Sequence, residues 1–457
     1  MSRLVIVSNR VPLAEHGKQA GGGLVTGVLD ALRATGGIWF GWSGEIAQER
    51  SAQPKVTKAD ALTYATVDLT REDYDGYYNG FCNAALWPLF HYRLDLVEFT
   101  RQDFAVYQRV NTLLAAQLAP MLLPDDLIWV HDYHLIPMAQ NLRRAGATQR
   151  LGFFLHTPFP SFGVLAVLPH YKDLLESLCA YDLVGFQTIE DLTAFHDAII
   201  RGVGGEVLSD NAVRAFGRSV RAGVFPIGVD TEAIARMAVP GVRSRTLRRF
   251  EHSLRDQRLI IGVDRLDYSK GLEHRFKAFA SFLERYPENR GRVCFLQIAT
   301  ATRSNVPEYR ALRQRLGALA GDIGGRFSEL DWTPIQYLNR SFSHLSLFGF
   351  FRLSRIALVT PLRDGMNLVA KEYVAAQDPD DPGVLILSPF AGAAYELDSA
   401  IIANPYDPDA VAEALQTARQ MPLEERRERW QAMMEVLRRN NAQAWRESFL
   451  RALDPAS

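Results

Sequence analysis

A polar turn at residues 361–367 carries groups that are suited to binding an anion. The apolar run at 356–360 before it is typical of a buried strand. The residues from Leu368 to Gln377 predict a helix, with Asn367 as a candidate N-cap. Free amides and the positive end of the dipole make a helix start an anion site. The chain therefore leaves a strand, turns through Asp364-Gly365 and opens a helix that could hold a phosphate.

Two charged residues in this helix extend the anion site toward a nucleotide. Lys371 adds positive charge near the helix start, and Glu372 lies five residues past the candidate cap. A carboxylate there could accept hydrogen bonds from the vicinal hydroxyls of a ribose. A nucleotide site is one explanation, and an ordinary capped strand-turn-helix explains the stretch equally well.

A second cationic turn follows the predicted strand at 258–264. Arg265 and Lys270 are separated by a turn that contains Ser269, and Gly271 comes after it. A guanidinium fork and a compact ammonium that converge from one loop suit a diphosphate. An arginine and a lysine at this spacing are equally compatible with a solvated surface that binds no ligand.

Histidines end two of the predicted strands in the first half of the chain. Residues 126–132 predict a buried strand with His131 near its end, and residues 150–156 predict another that ends at His156. Prolines that follow at 158 and 160 prevent a helix there. Open α/β sheets bind ligands at the C-terminal ends of their strands, so both histidines are candidate site residues.

Two further segments have a plain structural explanation beside a functional one. The Gly-rich turn Gly21–Gly23 comes before a helical pattern at 25–34 and would let a ligand approach the backbone, but the dinucleotide fingerprint is missing. The segment Tyr74–Tyr92 is rich in aromatic residues. Such rings more often fill a core, although they also suit the apolar faces of sugars.

The elements that would position these residues alternate between strand and helix. Strand-like runs occur at 4–8, 38–42, 63–68, 126–132, 150–156, 183–187 and 224–230 and, in a second series, at 258–264, 292–299, 356–360, 384–388 and 400–403. Alternation predicts parallel sheets, and two series predict an α/β protein with two doubly wound domains. The boundary falls around Gly228 to Val239, and residues 423–453 are helical and charged.

Composition excludes several function classes. Lys plus Arg number 51 and Asp plus Glu 52, so no overall charge favours nucleic acid or an acidic membrane. Cys82, Cys179 and Cys294 are unclustered, which argues against a disulfide framework and fits a reducing compartment. No apolar run approaches membrane-spanning length, and residues 4–7 are too short for a signal peptide. We expect a cytoplasmic protein with small-molecule partners.

No metal site is expected. Asp378-Pro-Asp380 and Asp407-Pro-Asp409 match the letters of an Asp-x-Asp cation motif, but both are typical of proline turns. No group of His, Cys and Glu has metal-ligand spacing. The sequence also lacks the Walker A and Gly-x-Ser-x-Gly motifs.

Several ordered motifs together point to one family. They are Ser8–Arg10, Gly41–Gly44, Leu86–Pro88, Trp129–His134, His156–Pro160, Arg265–Gly271 and Pro361–Tyr373. Over nearly its whole length the chain resembles the retaining glycosyltransferases that make trehalose 6-phosphate. That resemblance implies two Rossmann-like domains that face each other across a cleft, the GT-B fold, with the active site in the cleft.

The resemblance also implies a role for each domain. Residues 1–228 would form the acceptor-binding domain, and residues 229–438 would form the nucleotide-sugar-binding domain. A final helix in residues 439–457 would cross back to the first domain. We also expect a homo-oligomer, either a dimer or a tetramer.

The implied reaction transfers glucose from a nucleotide donor, most often UDP-glucose in this family, to O1 of glucose 6-phosphate. The product is α,α-trehalose 6-phosphate, made with retention of configuration and with no cofactor or metal. The sequence shows no paired carboxylates that would supply a nucleophile. The implied mechanism is a front-face one, in which the leaving diphosphate oxygen takes the proton of the acceptor hydroxyl.

The family's site residues are carried over onto the matching positions of this chain. The expected donor-binding residues are Gly22, Gly23, Arg265, Lys270, Phe342, Leu368, Val369, Ala370, Lys371 and Glu372. The expected acceptor-binding residues are Arg10, Tyr78, Trp87, Asp132 and Arg303. The expected catalytic residues are Arg265 and Lys270, on the leaving diphosphate, and His156 and Asp364, around the donor glucose.

Two stretches depart from the family pattern and leave alternatives open. Ser161 to Val164 stands where small polar residues and a Glu are usual, which bears on the choice of acceptor. Residues 339–351 are more apolar than expected, which leaves GDP or ADP open beside UDP. The alternatives are a related transferase that couples a cyclitol or uses another acceptor, and a non-catalytic sugar-phosphate sensor.

Overall fold

The computed structural model describes residues 2–11, 32, 36–59, 61–302 and 306–455. The predicted Gly-rich turn, Arg303 and all but residue 32 of the helix expected at 25–34 lie outside these ranges. The chain divides into two compact units, Met1–Pro226 with Ala444–Ser457, and Ile227–Gln443. Within the described residues, no helix is both long and apolar enough to cross a membrane.

The first unit is built on a ten-stranded sheet in the order β3-β4-β2-β1-β5-β6-β7-β10-β9-β8. Its strands are β1 Leu4–Arg10, β2 Gly37–Ala47, β3 Lys55–Ala59, β4 Leu62–Thr70, β5 Leu127–His131, β6 Arg150–Phe154, β7 Leu183–Phe186, β8 Glu206–Val207, β9 Ala212–Ala215 and β10 Arg218–Val224. The seven central strands, β4-β2-β1-β5-β6-β7-β10, are parallel. The pairs β3-β4, β10-β9 and β9-β8 at the two edges are antiparallel. The order of the strands reverses between β1 and β5, which is where doubly wound sheets bind ligands.

Helices cover this sheet because the parallel strands are apolar on both faces. They are Arg71–Asp73, Trp87–Phe90, Arg101–Leu118, Met138–Arg144, Phe162–Leu165, Tyr171–Leu178, Ile189–Val203 and the C-terminal Ala442–Leu453. The aromatic segment Tyr74–Leu86 is a π-helix, and short 3₁₀ turns lie at Leu94–Leu96, Ala119–Met121 and Tyr133–Leu135. Most of the aromatic segment therefore sits in an unusual helix next to the sheet.

The second unit is built on a six-stranded parallel sheet in the order β13-β12-β11-β14-β15-β16. Its strands are β11 Arg258–Arg265, β12 Val293–Thr300, β13 Ile335–Leu338, β14 Ile356–Val359, β15 Val384–Leu387 and β16 Ile401–Ile402. Its helices are Thr231–Val242, Arg245–Leu254, Leu272–Arg285, Pro307–Phe327, His344–Leu353, Leu368–Ala376, Pro408–Gln420 and Leu423–Arg439, with 3₁₀ turns at Tyr268–Lys270, Pro287–Asn289 and Gly392–Tyr395. The order reverses between β11 and β14, so the predicted class of two doubly wound α/β units is confirmed.

Some elements differ from the prediction. The strand expected at 224–230 ends at Val224, because Pro226 has no N–H for the sheet. The strands β3, β8, β9 and β13 were not predicted. The helical region at 423–453 is two helices with a break after Arg439.

The two chain segments that connect the units run side by side. A Cβ atom placed on Gly228 would lie 2.1 Å from the carbonyl oxygen of Asn440, so only glycine fits there. The amide of Ala442 donates to the carbonyl of Val229 at 3.4 Å.

Candidate active site

In the first unit, three of the predicted site residues follow neighbouring parallel strands. Arg10 ends β1, Asp132 follows β5 and His156 follows β6 by two residues. The register places Ser8 beside His131 and His131 beside Phe154, so these strand ends share one edge of the sheet. This edge is at the switch point of the sheet.

Arg10 offers an exposed positive charge at this edge. A Cβ atom on Gly44 would lie 2.7 Å from the Arg10 guanidinium, so the side chain lies directly over the glycine. Gly44 has a φ of +95°, a backbone conformation that favours glycine. In the part of the chain that the structure describes, no carboxylate pairs with Arg10, which leaves its charge available to a phosphate.

Asp132 sits in a strained backbone conformation, with φ +75° and ψ 163°. Its amide donates to the carbonyl of Phe154 at 2.8 Å, and its Oδ1 accepts from the amide of His156 at 3.2 Å. The aspartate therefore ties the loop after β5 to the loop after β6, and the local strain is typical of a functional site.

His131 and His156 form a side-chain pair, with Nδ1 of His131 3.1 Å from Nε2 of His156. Burial lowers the pKa of His156 to about 3. The pKa of His131 is also held well below its usual value, mainly by burial and to a smaller extent by the neighbouring His156. Both rings are therefore neutral near pH 7.

The two aromatic residues expected to bind acceptor lie in different surroundings. Tyr78 is partly exposed and stacks on His134 and Tyr74, at centroid distances of 5.9 and 5.4 Å. Trp87 is only 5% exposed and packs against His91 and Tyr133. The ring is therefore held firmly by its neighbours, and its expected place against the sugars stays a prediction.

In the second unit, the turn after β11 fixes the position of Lys270. Asp267 accepts from the amide of Ser269 at 3.0 Å, which closes a tight polar turn. Gly271 has a φ of +67°, and a Cβ atom there would lie 2.4 Å from the carbonyl oxygen of Thr360. The turn therefore presses against the end of the next strand of the sheet, β14, while Arg265 is exposed at the end of β11.

The two cationic and polar turns predicted separately from the sequence meet in the structure. The ammonium of Lys270 donates to Oδ2 of Asp364 at 2.5 Å, and Nδ2 of Asn367 donates to the same oxygen at 2.9 Å. Asp364 thus orients Lys270 and balances part of its charge. Asn367 occupies the N-cap position but its side chain does not cap the helix, because its backbone is left-handed with φ +71°.

The start of the helix Leu368–Ala376 is open toward a ligand. The amides of Leu368 and Val369 lie in the first turn of the helix, where no carbonyl of the helix accepts from them. The side chain of Asn367 does not cap them either. The amide of Ala370 instead donates to the carbonyl of Asn367 at 3.3 Å. Two of the predicted donor amides are therefore in place, whereas Ala370 is buried and its amide is already used.

Lys371 differs from its expected role. Its side chain is fully buried, and its ammonium donates to the carbonyl of Ile227 at 2.7 Å and pairs with Glu396 at 2.5 Å. Glu396 also accepts from Nδ2 of Asn440 at 2.8 Å. The lysine therefore holds the connecting segments against the helix and does not add free charge to the anion site.

Glu372, the next residue of the helix, is partly buried. Among the described residues no group donates to its carboxylate, and burial alone raises the pKa of Glu372 to about 7. A desolvated carboxylate without a protein donor is suited to accept from ligand hydroxyls.

One buried residue of the site was not predicted. Arg275 is fully buried under the Lys270 turn and donates to Asp264 at 2.5 Å, to Gln297 at 2.9 Å and to Thr360 at 3.0 Å. Burial raises the pKa of Asp264, although Arg275 opposes that shift. Only the fold shows that this arginine, one turn into its helix, lies under the sheet end.

Phe342 is partly exposed, and the guanidinium of Arg340 lies 4.6 Å from its ring centre. Phe350 packs edge-on against the same ring at 5.2 Å. The ring is therefore held on one side and could stack with a flat base on another. Gly22, Gly23 and Arg303 cannot be placed, since they lie outside the described residues.

The two Asp-x-Asp segments are engaged in local structure. Asp407 accepts from the amides of Asp409 and Ala410 at the start of a helix, and Asp378 accepts from Asp380 and pairs with Arg352. Across the described ranges, no group of three His, Cys, Asp or Glu residues is arranged to hold a metal ion.

The second unit thus combines an oriented ammonium, open amides and a desolvated carboxylate at the C-terminal ends of its strands. These groups are complementary to a diphosphate and a ribose diol. The first unit presents an exposed guanidinium, an aspartate and a neutral histidine, which are complementary to a sugar phosphate.

Known proteins share this architecture and sequence over their full lengths. A trehalose-6-phosphate synthase from Klebsiella pneumoniae is 50% identical over 457 residues, 100% of this chain and 96% of the relative. A UDP-forming α,α-trehalose-phosphate synthase from Burkholderia xenovorans, in complex with glucose 6-phosphate, is 52% identical with a TM-score of 0.94 over 99% of this chain and 100% of that one. A structure from Escherichia coli bound with UDP-2-fluoro glucose is 48% identical with a TM-score of 0.94 over 99% of both chains.

A model of one protein family matches residues 2–455, almost the whole chain. Its description is glycosyltransferase family 20. The chain belongs to glycosyltransferase family 20.

Proposed function

We propose that this protein transfers glucose from UDP-glucose to glucose 6-phosphate and so makes α,α-trehalose 6-phosphate, the first step of trehalose biosynthesis. The observation that carries the proposal is the joined Lys270–Asp364–Asn367 cluster beside the open helix start at Leu368. Relatives that share the fold at 48% identity or more hold glucose 6-phosphate and UDP-2-fluoro glucose.

Each donor group has a proposed partner. Arg265, Lys270 and the amides of Leu368 and Val369 bind the diphosphate, and Glu372 accepts from the ribose hydroxyls. Gly22, Gly23 and Phe342 remain proposed donor residues beside them. The unit Ile227–Gln443 is thereby proposed as the nucleotide-sugar-binding domain.

The acceptor has a separate set of proposed residues. Arg10 and Arg303 bind the phosphate of glucose 6-phosphate, and Tyr78 and Asp132 bind its sugar. The exposed charge of Arg10 and the strained backbone of Asp132 support these assignments. Arg10, Tyr78 and Asp132 belong to the unit Met1–Pro226, which we therefore propose as the acceptor-binding domain.

The proposed chemistry is a front-face transfer with retention. The bond from C1 of glucose to the β-phosphate oxygen breaks as C1 bonds to O1 of the acceptor, and the proton of that hydroxyl passes to the leaving phosphate oxygen. UDP leaves with the negative charge, which Arg265, Lys270 and the helix start stabilise. Asp364 orients Lys270, and His156 contacts the donor glucose.

The proposal includes a cytoplasmic homo-oligomer that needs no metal. Support for a reducing location comes from Cys82, Cys179 and Cys294, which are buried and form no disulfide within the described residues. The helix start and cationic side chains offer charge stabilisation that a metal ion gives in other transferases.

Removal of metal ions should leave turnover unchanged. Because Arg265, Lys270 and the helix start carry the diphosphate charge, initial rates with about 1 mM EDTA should stay within about twofold of the untreated rate. A parallel reaction with added magnesium serves as the control. Loss of activity in EDTA with recovery in magnesium would contradict the metal-free mechanism.

Donor binding should strengthen as the pH rises through 7. The pKa of Glu372, raised to about 7 by burial, means that the carboxylate needed by the ribose is lost below that pH. Donor binding favours the ionised form, so KM for UDP-glucose should fall about tenfold between about pH 6 and pH 8. The sugar diphosphate diester does not titrate in that range.

Steady-state kinetics at saturating glucose 6-phosphate measure this change. The control is Glu372→Gln, which keeps an acceptor oxygen but has no charge to lose, so its weaker donor binding should not vary with pH. An equal slope in the variant would show that another group titrates.

The overall reaction is tested by following nucleotide release with UDP-, GDP- and ADP-glucose, each with and without glucose 6-phosphate. We expect release from UDP-glucose only when the acceptor is present, and a disaccharide phosphate in the mass spectrum. Phe162, in the stretch that departs from the family, packs against Tyr171 and under the Arg201 guanidinium, within its own unit. Acceptor profiling by mass spectrometry distinguishes this reaction from that of a related transferase, which would give a product with another acceptor. An absence of any turnover would favour the non-catalytic sugar-phosphate sensor.

A further inference from the structure

The C-terminal helix brings two aromatic rings to the His131–His156 pair. Trp445 lies 6.4 Å from His131 and 6.3 Å from His156 between ring centres, and it is 4.9 Å from Trp129. Phe449 stacks on Trp129 at 4.5 Å. The pair therefore rests on an aromatic floor that is partly supplied by residues more than 280 positions later in the sequence.

The sheet is shaped to accept this helix. A Cβ atom on Gly152 in β6 would lie 2.8 Å from the Phe449 ring, and one on Gly185 in β7 would lie 2.7 Å from it. The side chains of Trp445 and Phe449 are at most 2% exposed. The helix Ala442–Leu453 is thus seated closely on the strands that carry the histidines.

Three polar atoms in this floor are buried and have no hydrogen-bond partner among the described residues. They are Nε2 of His131 and the indole nitrogens of Trp129 and Trp445. An indole N–H can only donate, whereas Nε2 of a neutral histidine donates or accepts according to the tautomer. The tautomer of His131 therefore decides whether the floor holds three unpaired donors or two donors and one acceptor.

Both rings are neutral, so a single proton lies between His131 and His156. The groups that face the pair are aromatic, apart from Asp132, which bonds the backbone amide of His156. If the proton between the rings belonged to His156, His131 would carry its own on Nε2, a third buried N–H beside two others. A buried N–H without an acceptor is rare and unfavourable by about 1–3 kcal/mol.

We propose that His131 donates from Nδ1 to Nε2 of His156 and so fixes His156 as the tautomer protonated on Nδ1, with Trp445 as the residue that positions His131. His156 then presents an N–H donor on its free side. It binds a sugar oxygen as a donor and takes no proton during the reaction. This inference rests on the proposed function only for the identity of that sugar.

The tautomer is measured directly on the resting protein. In long-range ¹⁵N–¹H spectra of the ¹⁵N-histidine-labelled full chain at about pH 7, we expect His156 to be protonated on Nδ1 and bare on Nε2, and His131 likewise. The spectrum of His156→Gln assigns the signals. Protonation of His156 on Nε2 would overturn the proposal, and this readout does not depend on any enzymatic activity.

A pair of variants tests the donor role of His131. In His131→Asn the carboxamide N–H₂ lies near the position of Nδ1 and can donate, whereas His131→Leu cannot. We expect kcat to fall about tenfold in the leucine variant and to recover to within about threefold of the parent in the asparagine variant, as for one oriented hydrogen bond. Equal losses in both, with the His156 signals unchanged, would refute the donor role.

Trp445 is tested through the pH profile. In Trp445→Ala water reaches the pair, so the pKa values of the two rings should rise toward their ordinary range and kcat should acquire an acid limb near pH 6. Trp430→Ala, on the preceding helix and bonded to the carbonyl of Val374, is the matched control and should lose stability without an acid limb. The same profile in both variants would mean that Trp445 has only a structural role.

Discussion

Replacing Arg265 with alanine should lower kcat by about two to three orders of magnitude while the protein stays folded. The side chain is exposed at the end of β11, so its loss leaves no buried cavity. A donor aimed at charge that develops in the transition state contributes about 3–4 kcal/mol, and the departing diphosphate is that charge. Because the substrate diphosphate is already anionic, KM for UDP-glucose should rise as well, but by less.

Steady-state kinetics and a thermal melt of the same preparation measure both parts of this prediction. Arg265→Lys keeps the charge without the fork and should fall between the parent and the alanine variant. Arg255→Ala is the matched control, since Arg255 is exposed in the same unit and pairs with Asp331 on the surface. Near-normal turnover in Arg265→Ala would remove this residue from the mechanism.

Replacing Arg275 with alanine should lower the free energy of unfolding of the second unit by about 3–5 kcal/mol. The substitution leaves Asp264 buried without its partner and removes the donor to Gln297 and Thr360. By contrast, replacing Arg315 with alanine should lower the free energy of unfolding by less than about 1 kcal/mol, because its partner Glu273 is near the surface. Urea unfolding followed by intrinsic fluorescence measures both.

The pH dependence of this loss distinguishes an unpaired charge from a simple cavity. Burial already raises the pKa of Asp264, and without Arg275 that pKa rises further. A raised carboxyl pKa penalises the folded state above the pKa of the unfolded chain, so the deficit should grow from about pH 5 to pH 8. In the double variant Arg275→Ala with Asp264→Asn, the stability deficit should be smaller than in Arg275→Ala alone. A deficit that is constant with pH would indicate lost packing alone.

The buried strands were the most predictable part of the fold. The strands β5 and β11 are continuous apolar runs, since helices cover both of their faces. In contrast β3 is exposed at every residue and carries two lysines, so it has no apolar pattern and is specified by its pairing with β4. An edge strand of this kind is set by its neighbour and not by its own side chains.

The anion site was predictable in outline because the strand-turn-helix order fixes where the open amides lie. The roles of Lys371 and Glu372 were not equally predictable, since successive helical residues point about 100° apart. One faces the connecting segments at Ile227 and the other does not, and spacing alone cannot say which. Likewise the left-handed backbone of Asn367 follows from its bond to Asp364, a contact that composition does not reveal.

The seating of the C-terminal helix has a consequence for synthesis of the protein. The two parts of the aromatic floor under His131 are synthesised at different times. Trp129 and the glycines of β6 and β7 leave the ribosome long before Trp445 and Phe449. Until Trp445 and Phe449 emerge, the nascent first unit exposes an aromatic surface, although all residues of Ile227–Gln443 have already been made. Translation products that stop before Trp445 should therefore be prone to aggregation and depend on chaperones, although they contain both sheets.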